Sequence, residues 1–125
     1  MMNDFNELLD EITNCFTAVN NKKAILSDVI EYEDGYEILS DIPGVNKELI
    51  KIEFANNSLN INVLKKEDGE NADYKLHERT HAFAPKSIYF DSEVDSDKAT
   101  AKYENGVLSI YLPKMPKKNT SIKID

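Results

Sequence analysis

Apolar residues recur along this chain with two different periods. From Phe5 to Val19 they fall at Phe5, Leu8, Leu9, Ile12, Phe16 and Val19. That spacing predicts an amphipathic helix, with Asp4 and Glu7 placed as a capping box at its start. A lone helix cannot bury such a stripe, so its apolar face needs the chain's own domain, a second copy or a bound partner. From about Leu26 the period drops to two. Leu59, Ile61 and Val63 alternate with Asn60 and Asn62, and Ile50, Ile52 and Phe54 alternate with Lys51 and Glu53. Leu108, Ile110 and Leu112 alternate with Ser109 and Tyr111, and Tyr36, Ile38 and Ser40 form a weaker series. Period two predicts half-buried strands.

Turn residues separate these runs. Asp34-Gly35 and Asn105-Gly106 read as tight hairpin corners with positive φ, and Asn56-Asn57 reads as a turn between its flanking strands. Pro43-Gly44 breaks the chain after Ile42. Short strands, hairpin corners and no long helix between them predict an all-β, antiparallel, immunoglobulin-like sandwich. Residues 1–24 would be an amphipathic arm, 25–114 the sandwich and 115–125 an extended tail. Two stretches fall outside the sandwich pattern. Lys65 to Asp73 is charged and contains Asp68-Gly69, which predicts a long exposed loop. Met115 to Asp125 begins as a Pro-Lys tail yet ends in Ile122-Lys123-Ile124, whose two isoleucines face one side of an extended chain and need a docking place.

Composition narrows the function. The chain has 125 residues, room for one domain with a modest core, and is 41% hydrophobic, as folded chains are. Its 23 acidic against 15 basic residues give a net charge of −8, a field that repels phosphate backbones and anionic lipid. Neither nucleic acid nor a membrane is expected as a partner. Cys15 is the only cysteine, which fits a reducing compartment. It borders the apolar stripe, as a small hydrophobe does rather than a nucleophile. Met1 to Asp10 carries acids where a signal peptide needs basic residues, and no apolar run approaches roughly 20 residues, so a cytoplasmic location is expected.

His77-Glu78-Arg79-Thr80-His81 matches the H-E-x-x-H pattern of zinc hydrolases. That chemistry needs a helix, which sets i and i+4 imidazoles about 6 Å apart. In a strand they lie roughly 13 Å apart. Pro85 follows closely and no third ligand stands out, so two surface-strand histidines are expected instead of a metal site. There is no Gly-rich phosphate loop, and the carboxylates are scattered. Neither an enzyme nor a cofactor is expected.

Ala101-Lys102-Tyr103-Glu104-Asn105-Gly106-Val107-Leu108, with Leu112-Pro113-Lys114 after it, resembles the A-x-x-x-N-G-V-L signature of the small heat shock proteins, the α-crystallin-domain family. Asp41-Ile42-Pro43-Gly44-Val45 with Glu48-Leu49-Ile50-Lys51-Ile52, then Glu78-Arg79, and the terminal Ile122-Lys123-Ile124 are similar to other parts of that family's pattern. The matches span about Leu26 to Ile124. The resemblance implies an ATP-independent holdase that binds partly unfolded proteins and works as a dimer-based oligomer. It implies that a strand near Ala72, Asp73, Tyr74, Lys75 and Leu76 joins a neighbour's sheet. It implies that Ile122 and Ile124 enter a groove walled by Ile50, Ile52 and Phe54 on one side and Ala101 and Tyr103 on the other. The arm residues Phe5, Leu8, Leu9, Ile12 and Phe16 would then hold clients or fill an oligomer core. The chain departs from the family at Ala82, Ala84 and Lys86, where Gly, Phe and Arg are usual, and Pro85 interrupts. Lysine cannot make arginine's two-pronged bond to a carboxylate, so the dimer contact there is open to change. A spore-coat-like structural protein and a sandwich-fold co-chaperone of an ATP-driven chaperone remain as rivals.

Overall fold

The computed structural model describes residues 22–65, 72–117 and 121–125. The predicted helix with Phe5, Leu8, Leu9, Ile12, Cys15 and Phe16 therefore lies outside the described residues, as does the run 66–71. Seven strands form two antiparallel sheets. They are β1 (Leu26–Glu31), β2 (Gly35–Asp41), β3 (Ile50–Ala55), β4 (Ser58–Val63), β5 (Lys86–Tyr89), β6 (Thr100–Glu104) and β7 (Val107–Pro113). One sheet has the order β1-β2-β7-β6 and the other β3-β4-β5.

Strand alternation builds the core. Tyr36, Ile38 and Ser40 of β2 stand directly opposite Leu112, Ile110 and Leu108 of β7, so all six point to the same face. They pack against Leu59, Ile61 and Val63 of β4 in one buried cluster. Removing an isoleucine such as Ile38 or Ile61 from water contributes about 1.5–3 kcal/mol, and both are fully buried. Ser40 is the polar exception, and its hydroxyl is satisfied by Ser27 on β1 at 2.7 Å.

Asn56 and Asn57 have φ of 54° and 59°, and Asn105 and Gly106 have 53° and 76°. Both pairs make the left-handed corners that two-residue hairpins demand. Asn57 also reaches across with its side-chain amide to the Phe90 carbonyl, tying the end of β5 to the β3–β4 corner. The first hairpin differs from expectation. Gly35 has no positive φ, because the turn is longer and closes through Tyr32 N–H donating to Gly35 O at 2.7 Å. Glycine is needed there for space: a Cβ would stand 2.6 Å from the Tyr111 hydroxyl and 2.9 Å from the Leu112 carbonyl.

Four core residues come from outside the strands: Ile25, Ile42, Phe83 and Phe90. Phe83 is held by an isolated parallel bridge to Lys23, with Lys23 N–H donating to Ala82 O and Ala84 N–H to Lys23 O, each at 2.9 Å. The segment after β5 folds back onto the end of β7 through a bridge between Val94 and Lys114. A short 3₁₀ turn at Ser96–Lys98 then leads into β6.

Candidate functional site

The two sheets do not close on each other at β3 and β6. Both are edge strands, and each leaves one row of main-chain N–H and C=O groups without a ladder partner. A cleft of about 220 Å³ opens between them. Ile52, Phe54 and Leu59 form one wall, Ala99, Thr100 and Ala101 the other, and Ile110 and Leu112 lie beneath. The volume is below the roughly 300–1,000 Å³ of small-molecule pockets. It suits apolar side chains projecting from an extended segment.

Of the expected groove residues, Ile52, Phe54 and Ala101 line this cleft, whereas Ile50 and Tyr103 do not. Ile50 is half-buried and packs against the core, opposite Val63. The Tyr103 hydroxyl is committed to the chain itself, donating to the Ile42 carbonyl at 2.5 Å and lying 3.1 Å from the Val45 carbonyl. It therefore pins the Pro43-Gly44 corner to β6. Leu59, Ala99 and Thr100 are cleft residues that the alternation alone did not assign. Ala99 and Thr100 stand at the entry to β6 and carry no apolar signal of their own.

Ala72 to Leu76 is exposed throughout and forms no strand with its own chain. Tyr74 is 51% and Leu76 74% exposed. Local contacts are a Tyr74–His77 ring pair 4.1 Å apart and an Asp73–Lys75 ion pair at 2.8 Å. Residues 77–82 are neither helical nor part of a strand. This corrects the expected surface strand around His77 and His81, and it leaves the two imidazoles without the helix that zinc ligation requires. Among the described residues, no three His, Cys, Asp or Glu side chains converge where a metal ion could sit. In the tail, Ile122 and Ile124 are 87% and 93% exposed.

Lys114 marks the root of that tail. Its ammonium lies 2.8 Å from the Glu31 carboxylate and 5.2 Å above the Tyr36 ring, and the Tyr36 hydroxyl donates to the same carboxylate oxygen at 3.3 Å. The hydrogen bond from Lys114 holds the Glu31 carboxyl below its ordinary value, although partial burial opposes it. The same bond raises Lys114 above its ordinary value. On β7, burial and a hydrogen bond with Asp34 raise the Tyr111 hydroxyl. No helix among the described residues is long and apolar enough to cross a membrane.

A model of the Hsp20/alpha crystallin family matches residues 28–125. The chain belongs to that family. Small heat shock proteins are non-enzymatic chaperones, and the chain's relatives carry that name. It is 34% identical over 115 residues to the 18 kDa heat shock protein of Clostridium acetobutylicum, covering 87% of this chain and 75% of the relative. Small heat shock protein C4 of Rickettsia felis is 32% identical over 115 residues, 88% of this chain and 71% of its own length. Among solved structures, heat shock protein 16.0 from Schizosaccharomyces pombe superposes with a TM-score of 0.65 at 25% identity, over 83% of this chain and 98% of that one. A small heat shock protein from Xylella fastidiosa, described as having a distinct high-order structure, shares the fold with a TM-score of 0.65 at 22% identity, over 81% of this chain and 95% of that one.

Proposed function

We propose that this protein is an ATP-independent holdase that binds partly unfolded proteins in the cytoplasm and keeps them from aggregating, working as a dimer-based homo-oligomer. The observation that carries this reading is the open apolar cleft between two edge strands, in a chain whose own tail ends in two almost fully exposed isoleucines. Knobs and slot have the same chemistry, and exposed edge strands aggregate unless something covers them. In this reading Ile122 and Ile124 dock into the cleft of another subunit and link dimers. Ala72 to Leu76 adds a strand to a neighbour, and the exposed edge of β1 is suited to receive it. The arm stripe Phe5, Leu8, Leu9, Ile12 and Phe16 holds clients or packs the oligomer.

The test is light scattering of a heat-labile client, with and without the protein and with no ATP present. Substoichiometric to equimolar protein should suppress the scattering. Unchanged aggregation at equimolar protein would remove the holdase reading.

A further inference from the structure

In a sandwich the outward positions of each strand are expected to be polar. Apart from Tyr89, which stands 75% exposed opposite Ser58, the outer face of β3-β4-β5 obeys. Asn60 is its hub, accepting hydrogen bonds on Oδ1 from Ser87 at 2.7 Å and Ser58 at 3.2 Å, and Lys51 balances Glu53 there.

The outer face of the four-stranded sheet does not obey. Across β1 and β2 the outward pairs are Leu26 with Asp41, Asp28 with Leu39, and Ile30 with Glu37. Every aliphatic residue stands opposite a carboxylate, and the order inverts from one rung to the next. Leu26 is 68% and Ile30 38% exposed. The pattern continues onto β7, where Val107 and Tyr111 stand opposite Asp41 and Glu37. Among the described strand residues, Lys102 on β6 is the only cation on this face, and it is already paired with Glu104 at 3.3 Å. Among the described residues Asp28, Glu37 and Asp41 have no ion pair.

We propose that this checkerboard is a second docking face, and that its partner is an extended, partly unfolded segment in which basic and aliphatic residues alternate along one side. Charge complementarity selects that partner. Side chains on one side of a strand repeat every ~6.6–6.8 Å, so a segment carrying Lys, Val, Lys at i, i+2 and i+4 matches Glu37, Leu39 and Asp41 in both spacing and sign. An aliphatic-only segment would bury three unpaired carboxylates, which is costly, and an acidic one would be repelled. The face is separate from the cleft between β3 and β6. The inference rests on the chaperone reading only in taking the partner to be an unfolded chain.

The test uses the full chain and a fluorescent nine-residue peptide, KTVTKTVTK. Binding is read by anisotropy, and zero-length carbodiimide coupling maps which carboxylates meet the peptide's lysines. Coupling is expected at Asp28, Glu37 and Asp41. The triple variant Asp28→Asn, Glu37→Gln, Asp41→Asn should weaken binding at least tenfold. A control of equal charge change on the β5–β6 connection, Asp91→Asn, Glu93→Gln, Asp97→Asn, should change it less than twofold. Equal losses in both triples would mean attraction by net charge alone and would overturn the proposal. Coupling of these carboxylates to the chain's own Lys117 or Lys123, undisplaced by peptide, would give the face to the tail and overturn it too. The mapping is done on the parent, so a misfolded variant does not protect the idea. Peptide docking without suppression of client aggregation would remove the holdase reading alone, and suppression without docking would remove this proposal alone.

Discussion

The Tyr103 hydroxyl donates to the Ile42 carbonyl although the two residues are 61 positions apart in sequence. This bond joins the cleft-side edge strand β6 to the corner where the chain leaves one sheet for the other. Tyr103→Phe should keep the fold and lose about 0.5–1.5 kcal/mol of stability. Thermal unfolding checks this: a midpoint lowered by a few degrees with cooperativity retained is expected. An unchanged midpoint would show that water replaces the bond at no cost.

The tail prediction concerns assembly. Each isoleucine buried offers roughly 1.5–3 kcal/mol, and fixing the linker residues costs about 1–2 kcal/mol apiece. The tail can therefore hold only where most of its linker stays unfixed, and the bond it makes is weak. Replacing Ile122 and Ile124 with Ala should move the sizing profile toward dimers without changing the circular dichroism of the sheets. A parent-sized profile would show that another segment links the subunits.

A third prediction concerns subunit pairing. Tyr74 and Leu76 point into solvent with no strand partner of their own. Tyr74→Pro removes a main-chain donor that a sheet would use. Under strand exchange, ultracentrifugation should show dimers giving way to monomers at low micromolar concentration. Dimers as tight as the parent's would argue that Ala72 to Leu76 stays on its own subunit.

The Glu31–Lys114 pair sets two pH limits. Glu31 is lowered from 4.5, so its contribution is present above pH 4.5 and disappears as pH falls through the depressed folded value. Lys114 is raised from 10.5, so its contribution is complete below pH 10.5 and disappears as pH rises through the elevated one. Both groups reach solvent, so the effects are small and salt-sensitive. Melting temperature against pH should fall less steeply in Lys114→Met than in the parent at both extremes. Parallel curves would contradict the pairing.

Much of the sandwich is legible in the sequence because β3, β4 and β7 alternate cleanly, β2 more weakly, and the asparagine corners at Asn56-Asn57 and Asn105 carry the backbone signal. β1 is obscured because its inward positions are Ser27, Val29 and Glu31, a polar-apolar-polar series that period two cannot score. β5 is four residues long, and Ile88 is the only aliphatic in it. Ile25, Phe83 and Phe90 enter the core from outside the strands, where periodicity says nothing. Three of the nine cleft residues, Ile52, Phe54 and Ala101, coincide with the groove that the family resemblance implied. The rest depends on which strands end up as edges, a tertiary fact. Tyr103 shows the limit: the family resemblance places it beside the groove, but its hydroxyl's use in holding a corner does not follow from that.

Lys114 clasps Glu31, so the tail leaves the body from a fixed mooring and its leash is short. Eight Cα steps separate Lys114 from Ile122, and at about 3.3–3.6 Å per residue they span no more than ~26–29 Å. Any shell or ring built through the tail must place the receiving cleft within that radius of the mooring. In an assembly so linked, the distance from mooring to receiving cleft is bounded from above by a stretch of seven residues, and lengthening that stretch would loosen the assembly before it touched any contact.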